Sequence, residues 1–457
     1  MPIGRRQCAL LLAIGLLLAA CDTAKKPDFG QIGAVPGFIG GAVVEEPHAA
    51  LAARDTLSAG GTAADAMVAA FFTMVATYPV AVGLGGGGAC IHYDAITNTA
   101  ETLDFLAVAP GEGGTVAVPG TIRGMALLHS RFGRLRFGQL MRTGETLARF
   151  GHPISRALVR RSASSQQRLA GDPLLRKTFL HADGSNLQEG DQLVQFELAS
   201  ALTRLRTKGI ADFYGGELGH RFVEEAQAAG GKVTLEDLRA YRAVWRGVQK
   251  SAADNLSVYH LQPPPAAGSV LRELSLTARR KAAPSPESLE GLAAMRSGDA
   301  GVATAVTVDR RGSAAACAFT MHTAYGLGRV APTMGVPLAP VEQAGAMPLA
   351  LVVAANENLQ QAFFAGAASG GPGALAALAQ VDADILAHGL TLEEAMARPR
   401  QVPALPGETA RDEGADRQSP IGRVQALWCS LGVKRAPKTC RFVSDSRGFG
   451  LAASQVF

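Results

Sequence analysis

Aromatic residues are scarce in this 457-residue chain, at 6%, and its basic residues are scattered rather than gathered into one stripe. The formal net charge is only +5. A nucleic-acid-binding protein usually presents clustered lysine and arginine side chains on one face. The sequence therefore argues against nucleic acid as a partner.

The sequence also lacks the common motifs for metal and phosphate binding. It contains no Cys-x-x-Cys pair and no His/Cys spacing typical of a metal site. The glycine run at residues 85–88 lacks the GxxxxGKS/T pattern and leads into a predicted strand, whereas a phosphate loop leads into a helix. We therefore expect neither a metal nor a cofactor.

The N-terminal residues are typical of an export signal. Arg5 and Arg6 form a positive region, and residues 9–20 form an apolar segment too short to span a bilayer comfortably. Small residues directly before Cys21 resemble a bacterial lipobox, in which the cysteine is diacylated and becomes the new N-terminus. We expect a lipoprotein of the cell envelope that faces the periplasm and is held to the membrane by its N-terminal lipid. The alternatives are an ordinary signal peptide cut near Ala20 and an uncleaved anchor.

The use of cysteine agrees with export. Cys90 and Cys317 lie in apolar runs, which predicts buried and unreactive packing residues. Cys429 and Cys440 flank a short loop, and we expect them to form a disulfide after export. Two free thiols are the alternative for this second pair.

The length of 457 residues is sufficient for one large α/β domain or two smaller ones, and the hydrophobic content of 47% allows a substantial core to be buried. Residues 1–20 are assigned to the signal, residues 21–35 to a tether, and residues 36–457 to the domain. From Val43 to Val75 the pattern predicts two helices separated by glycines, with Thr62 capping the second. Residues 273–300 are interpreted as a polar connector, and strands are predicted at 302–309, 313–320, 347–355 and 361–366.

Ordered motifs along the chain resemble those of one enzyme family. They resemble the γ-glutamyltransferases (γ-glutamyltranspeptidases) over about residues 36–453, and so many motifs in this order are not expected by chance. The motifs are SAGGTAADAMVAA, GLGGGGACIHYD, ETLDFLAVAP, AVPGTIRGM, FYGGELG, GGKVTLEDLRAY, LQPPPAAGSV and LEEAMARPR.

The resemblance implies an α/β fold of four layers, αββα, as in the N-terminal-nucleophile (Ntn) hydrolases. It implies a large-subunit-like part at about residues 36–301 and a small-subunit-like part at about residues 302–457. Family members cut their own precursor before a Thr, which then attacks a γ-glutamyl amide such as glutathione. The freed α-amine takes the Thr proton, backbone N–H groups of a Gly-Gly turn hold the oxyanion, and an Arg grips the glutamyl α-carboxylate.

The strand that should carry the nucleophile departs from the family pattern. Aligning GDAGVATAVTVDRRG on Asp309 places Val302 at the nucleophilic Thr and Ala303 at the Thr that follows it. Neither residue has a hydroxyl. Because strands alternate faces, Thr304 points to the same side as Val302, and Thr307 points to the opposite side. Thr304 is therefore the candidate substitute, and its use would require a shift of two residues.

Other positions that the resemblance assigns to substrate are also altered. Leu106 stands where the family has its carboxylate-binding Arg, and His322 stands where it has a substrate-binding Asn. The family stretch that grips the α-amine corresponds to LAPVEQAG, in which Glu342 and its neighbour remain polar. The oxyanion turn is kept, as Gly370 and Gly371.

The sequence leaves three functions open. The first is a degenerate family member without γ-glutamyl chemistry. The second is an active, divergent Ntn amidohydrolase that uses Thr304, which should run as two fragments on a denaturing gel. The third is a binding or scaffold module whose cleft, lined by Leu106, Ala303 and His322, holds a less polar small molecule.

Overall fold

Antiparallel strands form the framework of the fold. The computed structural model describes residues 39–263, 266–295, 301–341, 347–402, 411–412 and 422–455, which lie in one compact unit. The strands are β1 (Gly40–Val44), β2 (Gly87–Asp94), β3 (Thr99–Asp104), β4 (His152–Pro153), β5 (Gln192–Leu193), β6 (Val244–Arg246), β7 (Val248–Ala253), β8 (Leu256–Leu261), β9 (Val302–Asp309), β10 (Ala314–Thr320), β11 (Val330–Ala331), β12 (Val336–Pro337), β13 (Ala350–Asn356), β14 (Gln361–Ser369), β15 (Gln401–Val402), β16 (Arg411–Asp412), β17 (Arg423–Cys429), β18 (Cys440–Ser444) and β19 (Leu451–Gln455).

Helices cover both outer faces of this framework. They are α1 (Pro47–Ser58), α2 (Ala63–Thr77), α3 (Thr121–Phe132), α4 (Phe137–Leu140), α5 (Arg142–Phe150), α6 (Arg156–Ser162), α7 (Gln166–Ala170), α8 (Pro173–Phe179), α9 (Phe196–Lys208), α10 (Ala211–Gly215), α11 (Glu217–Ala228), α12 (Leu235–Ala240), α13 (Ala267–Arg279), α14 (Pro286–Ala293), α15 (Gly373–Leu386) and α16 (Leu392–Ala397).

Two large sheets pack face to face between the helices. The first has the strand order β19-β1-β9-β10-β2-β3-β6 and the second the order β18-β17-β14-β13-β8-β7. A helix-facing core lies between the first sheet and α1 to α12, a sandwich core lies between the sheets, and an outer core lies between the second sheet and α13 to α16. The result is the αββα layering that the sequence resemblance implied.

Strand β9 lies near the middle of the first sheet, paired with β1 and β10. Its side chains alternate as expected, because successive residues of a strand face opposite sides. Val302 and Val306 lie in the sandwich core, while Ala303 lies in the helix-facing core. Thr307 also faces the helices, where its hydroxyl donates to the Ala63 carbonyl of α2 at 2.8 Å.

Helix α2 begins where the sequence predicted it. Thr62 and Asp65 form a reciprocal capping box, which satisfies two backbone N–H groups of the first turn. The Asp309 carboxylate at the end of β9 accepts a hydrogen bond from a third backbone N–H group of this turn, that of Ala63, at 3.1 Å. Every residue of α2 is buried, because the helix is apolar on all sides and packs between β9 and the surrounding helices.

Two predictions of local structure were wrong. Val43 and Val44 belong to strand β1, not to a helix, because they pair with β9 and β19, which lie far away in the sequence. The supposed connector at residues 273–300 contains the end of α13 and all of α14. Helix α13 is stabilised by the contact of its apolar stripe, including Leu271 and Leu274, with the outer core.

The cysteines form two disulfides. Cys429 and Cys440 pair across β17 and β18, as expected. The expectation that Cys90 and Cys317 are unpaired packing residues was wrong, because they are bonded to each other across β2 and β10. These two residues are 227 positions apart, and only the pairing of their strands brings them together.

The glycine run before β2 is a packing feature. A Cβ at Gly88 would lie 2.2 Å from the Ala318 carbonyl oxygen and 2.7 Å from the Phe105 ring. No side chain fits that space, so glycine permits the close approach of β2 to its neighbours.

Candidate functional site

The beginning of β9 is shielded from solvent. The Val302 side chain is 1% exposed, and its carbonyl oxygen accepts a hydrogen bond from Arg161 Nη2 of α6 at 3.0 Å. The Arg161 guanidinium is buried, and this burial, followed by the nearby Arg423 cation, lowers its pKa to about 10. The position that the sequence aligns with the nucleophile is thus apolar, buried and in contact with a cation.

Helices α6 and α7 supply this cover. The Ser162 and Tyr325 hydroxyls are 2.7 Å apart, which connects the end of α6 to the loop after β10. Arg168 of α7 donates to Thr323 Oγ1 at 3.3 Å and to the Gly326 carbonyl at 2.5 Å in the same loop. These contacts hold α6 and α7 against the segment that follows β10, next to the start of β9.

A buried polar cluster connects the two sheets beside Thr304, and we call Glu45, Thr304, Ser369 and Arg423 the inter-sheet cluster. Thr304 Oγ1 donates to Glu45 Oε1 at 3.0 Å, and Ser369 Oγ donates a short hydrogen bond to the same oxygen. Arg423 Nη2 donates to Ser369 Oγ at 2.9 Å. Arg423 Nε lies 3.9 Å from Glu45 Oε2.

The cluster draws its members from both sheets. Glu45 directly follows β1 and Thr304 lies in β9, whereas Ser369 ends β14 and Arg423 begins β17. Thr304 and Ser369 are fully buried, and Arg423 is 4% exposed. A carboxylate removed from water in this way is stable only if hydrogen bonds and an opposite charge compensate it, which these neighbours do.

A second buried carboxylate lies next to the cluster. Glu46 caps α1 by accepting from Ala49 N at 2.9 Å, and it also accepts from the Thr77 hydroxyl at 2.7 Å. Its other oxygen lies 2.8 Å from His48 Nδ1, and this hydrogen bond raises the pKa of His48. Burial raises the pKa of Tyr78, which lies close to Arg161.

The expected oxyanion turn adjoins the cluster. Gly370 and Gly371 follow Ser369 directly and have φ angles of +117° and +70°, a region that favours glycine. Through Ser369 and Glu45, the structure brings this turn and Thr304 into one hydrogen-bonded neighbourhood.

The other predicted site residues do not form a common cleft. Leu106 packs in the sandwich core, whereas Ala303 packs in the helix-facing core on the opposite side of the sheet. His322 is 1% exposed with a φ of +64°, and its backbone N–H donates to Thr320 Oγ1 at 2.8 Å. A cleft lined jointly by Leu106, Ala303 and His322 is therefore a wrong prediction, and Glu342 lies outside the described residues.

The described residues contain neither a metal-binding cluster nor a membrane-spanning helix. No group of three or more His, Cys, Asp or Glu side chains in them is arranged to hold a metal ion. Within the same residues, no helix has both the length and the apolar character needed to cross a membrane. The predicted lipid attachment at Cys21 lies outside the described residues.

Comparison with known proteins identifies the family. The family model for γ-glutamyltranspeptidase matches residues 49–284, which is more than half of the chain. The chain belongs to the γ-glutamyltranspeptidase family. The match ends before β9, so it does not include the strand at which the nucleophile is expected.

Curated relatives of this γ-glutamyltranspeptidase-family chain include a glutathione hydrolase proenzyme and a scoloptoxin. The glutathione hydrolase proenzyme of Escherichia coli (strain K12) is 29% identical over 237 residues, 47% of this chain and 40% of its own length. Scoloptoxin SSD14 of Scolopendra dehaani is 29% identical over 237 residues, 48% of this chain and 41% of its own length. The chain thus spans less than half of each of these relatives.

A solved structure supports the fold over nearly the whole chain. The cephalosporin acylase of Bacillus halodurans superposes with a TM-score of 0.76, covering 95% of this chain and 99% of its own. The identity is 17%, so this likeness concerns the fold, which is that of an Ntn hydrolase.

Sequence reasoning within the family missed most of the inter-sheet cluster. It singled out Thr304, but not Glu45, Ser369 or Arg423. Two weak signals existed: Glu45 is a charged residue directly after the apolar strand GGAVV, and Ser369 directly precedes the Gly-Gly turn. Neither signal indicates which residues meet in space.

Proposed function

We propose that this chain is an exported γ-glutamyltranspeptidase-family protein that has lost γ-glutamyl transfer and glutathione hydrolysis. We further propose that lipid on Cys21 holds it to the membrane on the periplasmic side. The anchor rests on the small residues before Cys21 and on the apolar segment of residues 9–20. The loss of catalysis rests on the surroundings of β9.

The hydroxyl of Thr304 carries the argument. It is itself fully buried and donates to Glu45 at 3.0 Å, so it is engaged in joining the two sheets. A cut before Thr304 would fall within β9, between the paired positions Ala303–Phe319 and Thr304–Ala318. Without that cut Thr304 has no free α-amine to take its proton.

The altered substrate positions support the same conclusion. Val302 has no hydroxyl with which to attack an amide. Leu106 is apolar and packed in the sandwich core, so it offers no charge to a glutamyl α-carboxylate. Losing a charge-assisted hydrogen bond of this kind costs about 1.5–3 kcal/mol of binding.

One observation favours the alternative of an active, divergent Ntn amidohydrolase. A hydroxyl next to a carboxylate is the arrangement in which a base activates a nucleophile, and Glu45 lies in that position beside Thr304. Against this alternative, Thr304 has no exposed surface at which a substrate could meet it.

Intact mass and turnover distinguish the two functions. The purified mature protein is measured under denaturing conditions, and its hydrolysis of a chromogenic γ-glutamyl anilide is followed. We expect one uncut chain carrying acyl groups, and no hydrolysis above the buffer rate. Two fragments with a new N-terminus at Thr304 would contradict the loss of catalysis, and a mature mass without acyl chains would contradict the anchor.

A pair of variants makes this experiment specific. Thr304→Val removes the hydroxyl in the cluster, and Thr307→Val removes the hydroxyl on the other face of the same strand. If catalysis is lost, both variants behave as the parent does in mass and turnover. If Thr304 is the nucleophile, only Thr304→Val abolishes both cleavage and hydrolysis.

A further inference from the structure

The donors around Glu45 resemble a ligand-binding site more than a single ion pair. Thr304, Ser369 and Arg423 come from three different strands and converge on one carboxylate. The buried pair Arg279–Asp382 is different, because there one guanidinium of α13 meets one carboxylate of α15 at 2.6 Å. We propose that the inter-sheet cluster is a binding site for a small carboxylate and that the side chain of Glu45 is its built-in occupant.

Contacts that do not involve the Glu45 side chain hold the donors in place. Arg423 Nη2 donates to Ser369 Oγ at 2.9 Å, so the guanidinium fixes the serine oxygen and leaves its proton directed at the carboxylate. Thr304 is fixed by its pairing with Ala318 in β10, and its carbonyl accepts from Glu45 N of the backbone. Donors positioned before a ligand enters lose little entropy on binding it.

The charge and the size of the site define its ligand. Arg423 and the neighbouring Arg161 supply two buried cations close to Glu45, so an anion is favoured over a neutral guest. Replacing Glu45 by alanine removes Cγ and the carboxylate group, which together have the size and the atoms of acetate. Acetate is therefore the matched probe, and acetamide has the same shape without the charge.

The experiment is chemical rescue of the full chain carrying Glu45→Ala. The midpoint of thermal unfolding is followed while sodium acetate replaces sodium chloride at constant ionic strength. We expect the midpoint of Glu45→Ala to rise with acetate and to saturate, and not to rise with acetamide. The parent should not respond, because its site is filled. Adding Arg423→Met to Glu45→Ala should weaken the dependence on acetate about tenfold or more, since a charge-assisted contact is lost.

Asp382→Ala is the matched control, because it removes a buried carboxylate from an ordinary ion pair. An equal acetate response in Asp382→Ala or in the parent would overturn the proposal, and so would a Glu45→Ala protein that ignores acetate. If Glu45→Ala does not fold in chloride, the yield of folded protein after refolding in acetate replaces the midpoint. Failure to fold in acetate as well, while Glu45→Gln folds, would also overturn it. The readout is stability, so the result is independent of whether the chain has lost catalysis.

Discussion

The two faces of β9 bury the same kind of side chain in different ways. On the helix-facing side, the Thr307 hydroxyl donates to a neutral backbone carbonyl of α2 at 2.8 Å. On the sandwich side, the Thr304 hydroxyl donates to a carboxylate that also meets Ser369 and Arg423. A neutral hydrogen bond contributes little net stability, whereas a buried charge is costly unless every partner is present. The sandwich side should therefore be much more sensitive to the loss of one polar group.

The two disulfides extend this comparison, because Cys90–Cys317 lies in the helix-facing core and Cys429–Cys440 in the sandwich core. Their sequence separations are 227 and 11 residues. In the loop-entropy model, replacing both cysteines by alanine should lower the free energy of unfolding by about 5 kcal/mol for the long loop and about 3 kcal/mol for the short one. Denaturant unfolding of the two double variants measures this difference. Equal losses would show that loop length does not set the contribution of these bonds.

Loss of the cation in the inter-sheet cluster should have the next largest effect on stability. Arg423→Met keeps much of the side-chain volume but leaves Glu45 with fewer compensating groups, so we expect a loss of about 3–5 kcal/mol in unfolding free energy. Arg54→Met is the control, because Arg54 pairs with Asp55 at an exposed position. This substitution should lower the free energy of unfolding by less than about 1 kcal/mol. A small loss in Arg423→Met would indicate that the sandwich side is no more sensitive than the surface.

Much of the fold could be predicted from the sequence, because its signals are local. The capping box of Thr62 and Asp65, the alternation in β9 and the apolar run of α15 each lie within a few consecutive residues. Strand β1 was missed because five small and apolar residues fit a helix or a strand equally well, and the distant partner strands decide between them.

The site was predictable only in part. Thr304 and the Gly-Gly turn could be found by alignment with a family pattern, since each occupies a recognisable place in a strand or turn. Glu45 and Ser369 are 324 residues apart, and nothing near either residue in the sequence indicates that they meet. The disulfide Cys90–Cys317 was missed for the same reason, because it depends on the pairing of β2 with β10.

The helix-facing side of the first sheet contains a buried histidine, and its protonation shows how well this side tolerates a charge. His92 is 2% exposed and stacks on Phe132 with ring centroids 3.9 Å apart. Burial lowers its pKa to about 4, against an opposing contribution from Asp94. The unfolded state therefore binds the proton more readily, and stability is lost as the pH falls from about 6.5 towards 4. When the pH falls from about 7.5 to 5, the free energy of unfolding of the His92→Phe variant should decrease by about 2 kcal/mol less than that of the parent. Urea unfolding at the two pH values measures this. An unchanged pH dependence would exclude His92 as its source.

The smallest expected effect compares the two threonines directly. Valine has nearly the shape of threonine, so Thr304→Val and Thr307→Val remove one hydroxyl each and leave packing almost unchanged. Thr304→Val deprives a buried carboxylate of a donor. It should lower the free energy of unfolding by about 2 kcal/mol, within the range for hydrogen bonds to charged groups. Thr307→Val removes a donor from a neutral carbonyl and should cost about 1 kcal/mol. Denaturant midpoints with equal slopes measure the difference of about 1 kcal/mol. If Thr307→Val cost as much as Thr304→Val, the charge on Glu45 would not be what distinguishes the two faces of β9.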